Sequence, residues 1–143
     1  MLAGNVTIRR LGRPGDLGWV VMAHGEMYAS EFAWDTSFES LVARIVADYA
    51  GDHDDAREAA WVAELDGRRV GCVFCIAAGD QTAQLRLLLV DPAARGHADR
   101  VGAGLWRALE IRKTGKGAFP RRAFRRRGQF CLSGSAQGQH YSR

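Results

Sequence analysis

An apolar run, Gln84-Leu85-Arg86-Leu87-Leu88-Leu89-Val90, closes on Asp91-Pro92-Ala93-Ala94-Arg95-Gly96. Such a loop can deliver a strand into the start of a helix, where exposed backbone N–H groups attract anions. Side chains able to move protons lie upstream: His24, Tyr28 and Glu31 share helical spacing, and Glu64 stands near the end of a short apolar run. Cys72-x-x-Cys75 has the spacing of a zinc knuckle, with Cys131 and His140 downstream. Residues three apart in a strand project to opposite faces, however, so this pair does not converge on one ion and reads as buried packing. Asp52-His53-Asp54-Asp55 reads as a solvated turn, because adjacent acids do not easily converge on a cation. No metal site is expected. No serine or cysteine sits in a nucleophile elbow or triad word.

The elements that must position these residues follow from periodicity. Asn5 to Leu11 alternates Val6, Ile8 and Arg10 against Thr7, Arg9 and Leu11, which predicts a first strand ended by Gly12, Pro14 and Gly15. Asp16 is placed to cap a helix running to about Glu31 through Leu17, Trp19, Val20, Val21, His24 and Met27. Phe38, Leu41, Val42, Ile45, Val46 and Tyr49 form one apolar stripe, predicting a second helix from Ser37 to Tyr49 capped by Thr36 or Ser37. Ala60 to Leu65 and Val70 to Ala77 flank Asp66-Gly67, a strong hairpin signal, and a further strand spans Ala83 to Val90. Strand, two helices and three sequential strands predict an α+β domain with a mixed, largely antiparallel sheet and helices on its faces.

A chain of 143 residues, 47% apolar, supports one domain with a modest core. It shows neither a long apolar span nor a basic flank leading an apolar block, and its three cysteines form no disulfide framework, so a cytoplasmic location is expected. The net charge of +4 is unevenly divided. Residues 1 to 111 hold eleven arginines and all sixteen acids, a net −5, whereas residues 112 to 143 hold nine basic groups and no acid, a net +9.

The closing V-D-P-x-x-R-G of the last strand resembles the cofactor loop of the GNAT superfamily of N-acyltransferases. The likeness extends through Pro14-Gly15-Asp16-Leu17-Gly18-Trp19-Val20-Val21, His24-Gly25, Tyr28, Glu31, Trp34-Asp35 and Phe38-Glu39-Ser40-Leu41-Val42-Ala43. It continues in Trp61-Val62-Ala63-Glu64 and Ala83-Gln84-Leu85-Arg86-Leu87-Leu88, covering roughly residues 6 to 96. This ordered set looks like the GNAT domain often fused behind a MarR-type winged helix, although no winged helix precedes it here. The resemblance implies acetyl-CoA as co-substrate and transfer of its acetyl group to a small-molecule or peptide amine, with no nucleic acid or membrane partner.

It also implies roles. Leu88 and Val90 would pair their backbone with the pantetheine arm, and Arg95, Gly96, His97, Ala98, Arg100 and Val101 would form the pyrophosphate cradle. His24, Tyr28 and Glu31 would line the amine site, and Glu64 would be the base. The family's loop continues as [RQ]-x-x-G-x-[GA], so Ala98 and Arg100 stand where it places glycines, and the Arg100 side chain is expected to obstruct the anion.

Past Gly96 the likeness stops. The core is expected at residues 1 to 98, followed over 99 to 143 by a short helix through Val101, Leu105, Trp106, Leu109 and Ile111 and a basic, disordered tail, with the family's closing strands missing. Tyr141 is the one tyrosine left downstream, without the helix that the family's acid requires. A reading-frame shift near codons 96 to 99 of a G+C-rich gene would produce such a change and leave the enzyme inactive. The rival reading is a non-catalytic protein that binds nucleic acid or a partner through Phe119 to Phe130, where aromatics interleave with arginines. A basic run without a folded reader is a weak signal for that role.

Overall fold

The structure, a computed structural model, describes residues 4–77, 83–94, 96–112, 123–126 and 129–132. Strand β1 (Val6–Arg10) leads into helices α1 (Asp16–Phe32) and α2 (Thr36–Gly51). Strands β2 (Ala59–Leu65), β3 (Arg68–Ala77) and β4 (Ala83–Val90) follow, then a 3-10 turn at Pro92–Ala94 and helix α3 (Ala98–Arg112). The four strands form one antiparallel sheet in the order β1-β2-β3-β4. Asp66 and Gly67 both take positive φ, 51° and 81°, the backbone sense that a two-residue hairpin needs to match strand twist.

Each face of the sheet carries its own core. Helices α1 and α2 cover one, where Val20, Ala23, Met27, Val42, Val46 and Tyr49 meet Ala60, Cys72, Phe74 and Leu89. Helix α3 covers the other, laying Val101, Leu105 and Leu109 on Trp61, Ala63, Val73 and Val90. A Cβ built on Gly104 would come within 2.8 Å of Ile8 Cγ1, so this glycine lets α3 lie close on β1. The sequence boundary after residue 98 thus separates a helix from the sheet whose core it completes. Beyond α3, where the sequence gives a tail without regular structure, the described residues form a short antiparallel hairpin of β5 (Ala123–Arg126) and β6 (Gln129–Leu132). Strand β6 comes alongside β4 without joining its sheet. Tyr141 and His140 lie outside the described residues.

The helix starts differ from expectation. Asp35, not Thr36 or Ser37, caps α2 by accepting from the Ser37 N–H at 2.9 Å. Asp16 caps nothing: Gly15, in left-handed conformation, occupies the cap of α1. The Asp16 carboxylate is fully buried and accepts both terminal nitrogens of Arg9 at 2.8 Å, Arg69 Nε at 2.8 Å, and the N–H groups of Gly12 and Arg13 at 2.9 and 2.8 Å. Burial alone would raise its pKa, but the hydrogen bonds from Arg9, Gly12, Arg69 and Arg13 hold it well below the usual carboxylate range. One side chain therefore ties β1, the turn after it, the start of α1 and β3 together.

Removing one partner from a buried, hydrogen-bonded ion cluster leaves charge uncompensated, a loss of about 3–5 kcal/mol. Asp16→Ala is expected to lower unfolding stability by that amount in urea titrations at pH 7. A loss below about 1 kcal/mol would show that the cluster is not what fixes α1 on the sheet.

Candidate active site

Strand β4 ends the sheet, and its register is broken. Cys72 pairs with Leu89 and Phe74 with Arg86, so Val73 alone opposes both Leu87 and Leu88. This is a β-bulge. Leu85 and Leu88, three residues apart, accordingly pack on the same face, which strict alternation forbids. Leu87 absorbs the irregularity with φ 53°, a left-handed conformation that costs a non-glycine residue about 1 kcal/mol or more.

Backbone direction past the bulge follows from one bond. The Asp91 N–H donates to Val70 O at 2.7 Å, so Asp91 faces β3. Peptide groups alternate sides along an antiparallel strand, which turns Leu89 toward β3 and the N–H and C=O of Leu88 and Val90 away from it. These are the two residues whose backbone the resemblance assigns to the pantetheine arm.

Beyond Val90 the chain turns through Pro92–Ala94 and Gly96, with φ 78°, into α3. Two assigned amides are spent internally: His97 N–H donates to Ala94 O at 2.8 Å and Val101 N–H to His97 O at 3.0 Å. His97 and Val101 therefore do not present their N–H groups to an anion, a correction that follows from the closure of the turn at His97 and of the helix at Val101. Ala98 and Arg100 lie in the first helical turn, whose N–H groups have no acceptor one turn earlier inside the helix. Asp99 sets a carboxylate in that same turn. The Arg100 guanidinium, expected to obstruct the cradle, donates to Gly4 O at 2.8 Å, while His97 Nε2 accepts from Gly4 N–H at 3.3 Å. Both side chains thus turn toward the start of β1. Arg95 lies outside the described residues.

The proposed acid–base residues do not assemble. Glu64 accepts Arg9 Nε at 2.6 Å and lies 3.7 Å from Arg13, so its carboxylate belongs to the Asp16 cluster between β1 and β2 and is not placed as a base beside β4. His24 is sealed in the α1–α2 core at 1% exposure and does not line an open amine site. Its Nδ1–H donates to Val20 O at 2.8 Å, which leaves Nε2 as an acceptor without a hydrogen-bond partner among the described residues. Burial pushes its pKa down to about 4, against the smaller opposing effect of the Val20 bond. Tyr28 is half-buried and Glu31 exposed toward the end of α1. Tyr28 stacks on His24 and joins Phe32, Trp34 and Phe38 in an aromatic cluster with ring centroids 4.6–5.6 Å apart. Cys72 and Cys75 fall in opposite cores, as alternation requires. Among the described residues no group of three or more His, Cys, Asp or Glu side chains gathers as metal ligands would, and no helix is long and apolar enough to cross a membrane.

Sequence reasoning missed the left-handed Leu87. An unbroken run of leucines carries no alternation, so nothing in the residue types marks the bulge.

The model of the acetyltransferase (GNAT) family matches residues 22–127, and the chain belongs to that family. The match runs past Gly96 and through α3, which gives no support to a frame break at codons 96 to 99. Solved structures share the fold. An acetyltransferase of the GNAT family from Desulfovibrio desulfuricans is 17% identical, with 79% of this chain and 69% of that one covered at a TM-score of 0.60. An acetyltransferase from Streptococcus agalactiae is 18% identical over 75% of this chain and 65% of its own, at 0.56. A GNAT family acetyltransferase from Brucella melitensis, solved with acetyl-CoA, is 21% identical over 78% and 71%, also at 0.56. The chain thus spans about two thirds of the length of these proteins. No curated protein sequence matches it.

The buried neutral His24 gives a pH signature. Its folded pKa of about 4 lies below the ordinary 6.5, so the unfolded chain binds the extra proton first. Stability held above pH 6.5 is expected to fall by up to about 3 kcal/mol between pH 6.5 and 4. His24→Phe should flatten that slope in urea midpoints measured across the window, and equal slopes in both proteins would contradict the buried neutral imidazole.

Proposed function

We propose that this chain is an acetyl-CoA-dependent N-acetyltransferase that holds its co-substrate along the outer edge of β4. The observation that carries this reading is the bulged terminal strand, which turns the peptide groups of Leu88 and Val90 out of the sheet. An extended amide-bearing arm can add to such an edge by main-chain hydrogen bonds. The first turn of α3 lies just beyond, with Gly96, Ala98 and Arg100 offering backbone N–H groups to the pyrophosphate. Ala98 in place of glycine adds only a methyl group there, and the Arg100 side chain, drawn to Gly4, is compatible with the anion's approach. The carboxylate of Asp99 opposes the anion and weakens the cradle.

In the reaction a neutral amine nitrogen bonds to the thioester carbonyl carbon, the C–S bond breaks, and the nitrogen's proton leaves as the departing thiolate gains one. No covalent bond to the protein is needed. Tyr28 and Glu31 are our assignments for the acceptor side, where the exposed carboxylate favours a cationic amine. With Glu64 held by Arg9, the proton passes to solvent in this reading rather than to a carboxylate on β2.

Calorimetric titration with acetyl-CoA tests the proposal without knowledge of the amine. Saturable binding is expected, together with a rise in unfolding stability of about 2.7 kcal/mol at a hundredfold excess over Kd. Ala98→Pro keeps the helix, because proline suits its first position, but deletes one cradle donor. That variant should retain its melting temperature within about 2 °C and bind acetyl-CoA at least about tenfold more weakly, the order of one lost charge-assisted hydrogen bond. No heat and no stabilisation with the wild type would overturn the assignment.

A further inference from the structure

The bulge that exposes Leu88 and Val90 holds a leucine in a left-handed conformation, so something must stabilise it there. The Leu87 carbonyl is displaced from the regular ladder, since the paired registers on its two sides run Cys72–Leu89 and Phe74–Arg86. A carbonyl turned off the ladder and partly withdrawn from water needs another donor. The donor is present: Cys72, the residue beside Val73 in β3, has its Sγ 3.1 Å from Leu87 O.

We propose that Cys72 is a positioning residue, whose thiol holds Leu87 in its left-handed turn and thereby fixes the outward peptide groups of Leu88 and Val90 that receive acetyl-CoA. The acetyl-CoA part of this inference rests on the function proposed above.

Three further features support it. Cys72 is fully buried between β3 and the α1–α2 layer, so the donor end of its part-buried hydrogen bond to Leu87 is shielded from water. Burial pushes the thiol's pKa up, which keeps the proton that the bond requires. Cys75, three residues on, packs in the opposite core under α3 and cannot take its place. Sequence alone gives Cys72 no task beyond filling space. Its contact with the one non-glycine residue of β4 at positive φ gives it a second one.

Cys72→Ala and Cys72→Ser both remove the sulfur's packing, but only serine keeps a donor, and the pair separates hydrogen bonding from filling. Amide exchange at Leu89, measured in the unliganded protein against amides of β2, reads the turn directly. Cys72→Ala should speed that exchange and weaken acetyl-CoA binding, each about tenfold, as expected for one buried hydrogen bond, while Cys72→Ser stays within about threefold of wild type. Alanine binding as tightly as wild type, or serine failing as badly as alanine, overturns the proposal. If the wild type itself does not bind acetyl-CoA, the proposed function falls and exchange alone decides the pin. Faster exchange at Leu89 in the alanine variant with retention in serine then upholds it, and unchanged exchange in alanine overturns it.

Discussion

A single extra residue in β4 decides what the edge of this sheet presents. Side chains and peptide groups both alternate with period two, so inserting one residue opposite Val73 reverses both beyond it. Were β4 regular from Ala83, the side chains of Leu88 and Val90 would point into the α1–α2 layer, and their peptide groups would trade roles with those of Leu89. With the bulge in place, Leu88 and Val90 pack toward α3 and their backbone looks out from the last strand. The conformational cost at Leu87 is local, and it is offset by packing on both faces and by the sulfur donor beneath.

The rest of the domain keeps that strand in place. The α1–α2 layer is fastened by Asp16, a buried carboxylate that accepts from two arginines and two backbone amides and so links β1, the turn after it and the start of α1 to β3, 53 residues away. Helix α3 presses on the other face along Val101, Leu105 and Leu109, with Gly104 allowing close approach to β1. Its first turn is bound to the start of the chain through His97 and Arg100 on Gly4. The loop after β4 is therefore held from both ends: by the Asp91 bond to β3, and by α3 on β1.

Membership of the GNAT acetyltransferase family and the shape of β4 point the same way, but the chain uses individual residues differently from their motif positions. Arg100 stands where a glycine is usual and escapes conflict by reaching Gly4. His97 and Val101, inside the motif, spend their amides on the turn and the helix. Glu64, in an ordered motif word, serves the ion cluster, and His24, on the expected helical face, is closed off from solvent by its own layer. Motif position gives the path of the backbone, and the nearest opposite charge or carbonyl then decides where each side chain goes.

Sequence pattern was enough to define all six elements from β1 to β4, their antiparallel hairpin and the two helical stripes, because one buried face per element imposes a local pattern. The same alternation placed Cys72 and Cys75 on opposite sides, and the strand-to-helix loop was legible from Asp91 to Gly96. Local pattern could not reveal where β4 breaks register, since leucine follows leucine there and the bulge is set by pairing with β3. Nor could it show that Asp16 would meet Arg69, 53 residues away, or that a thiol on β3 would satisfy a carbonyl on β4. Those contacts join residues remote in sequence, and only the folded chain, by removing water from between them, makes each the best partner the other has.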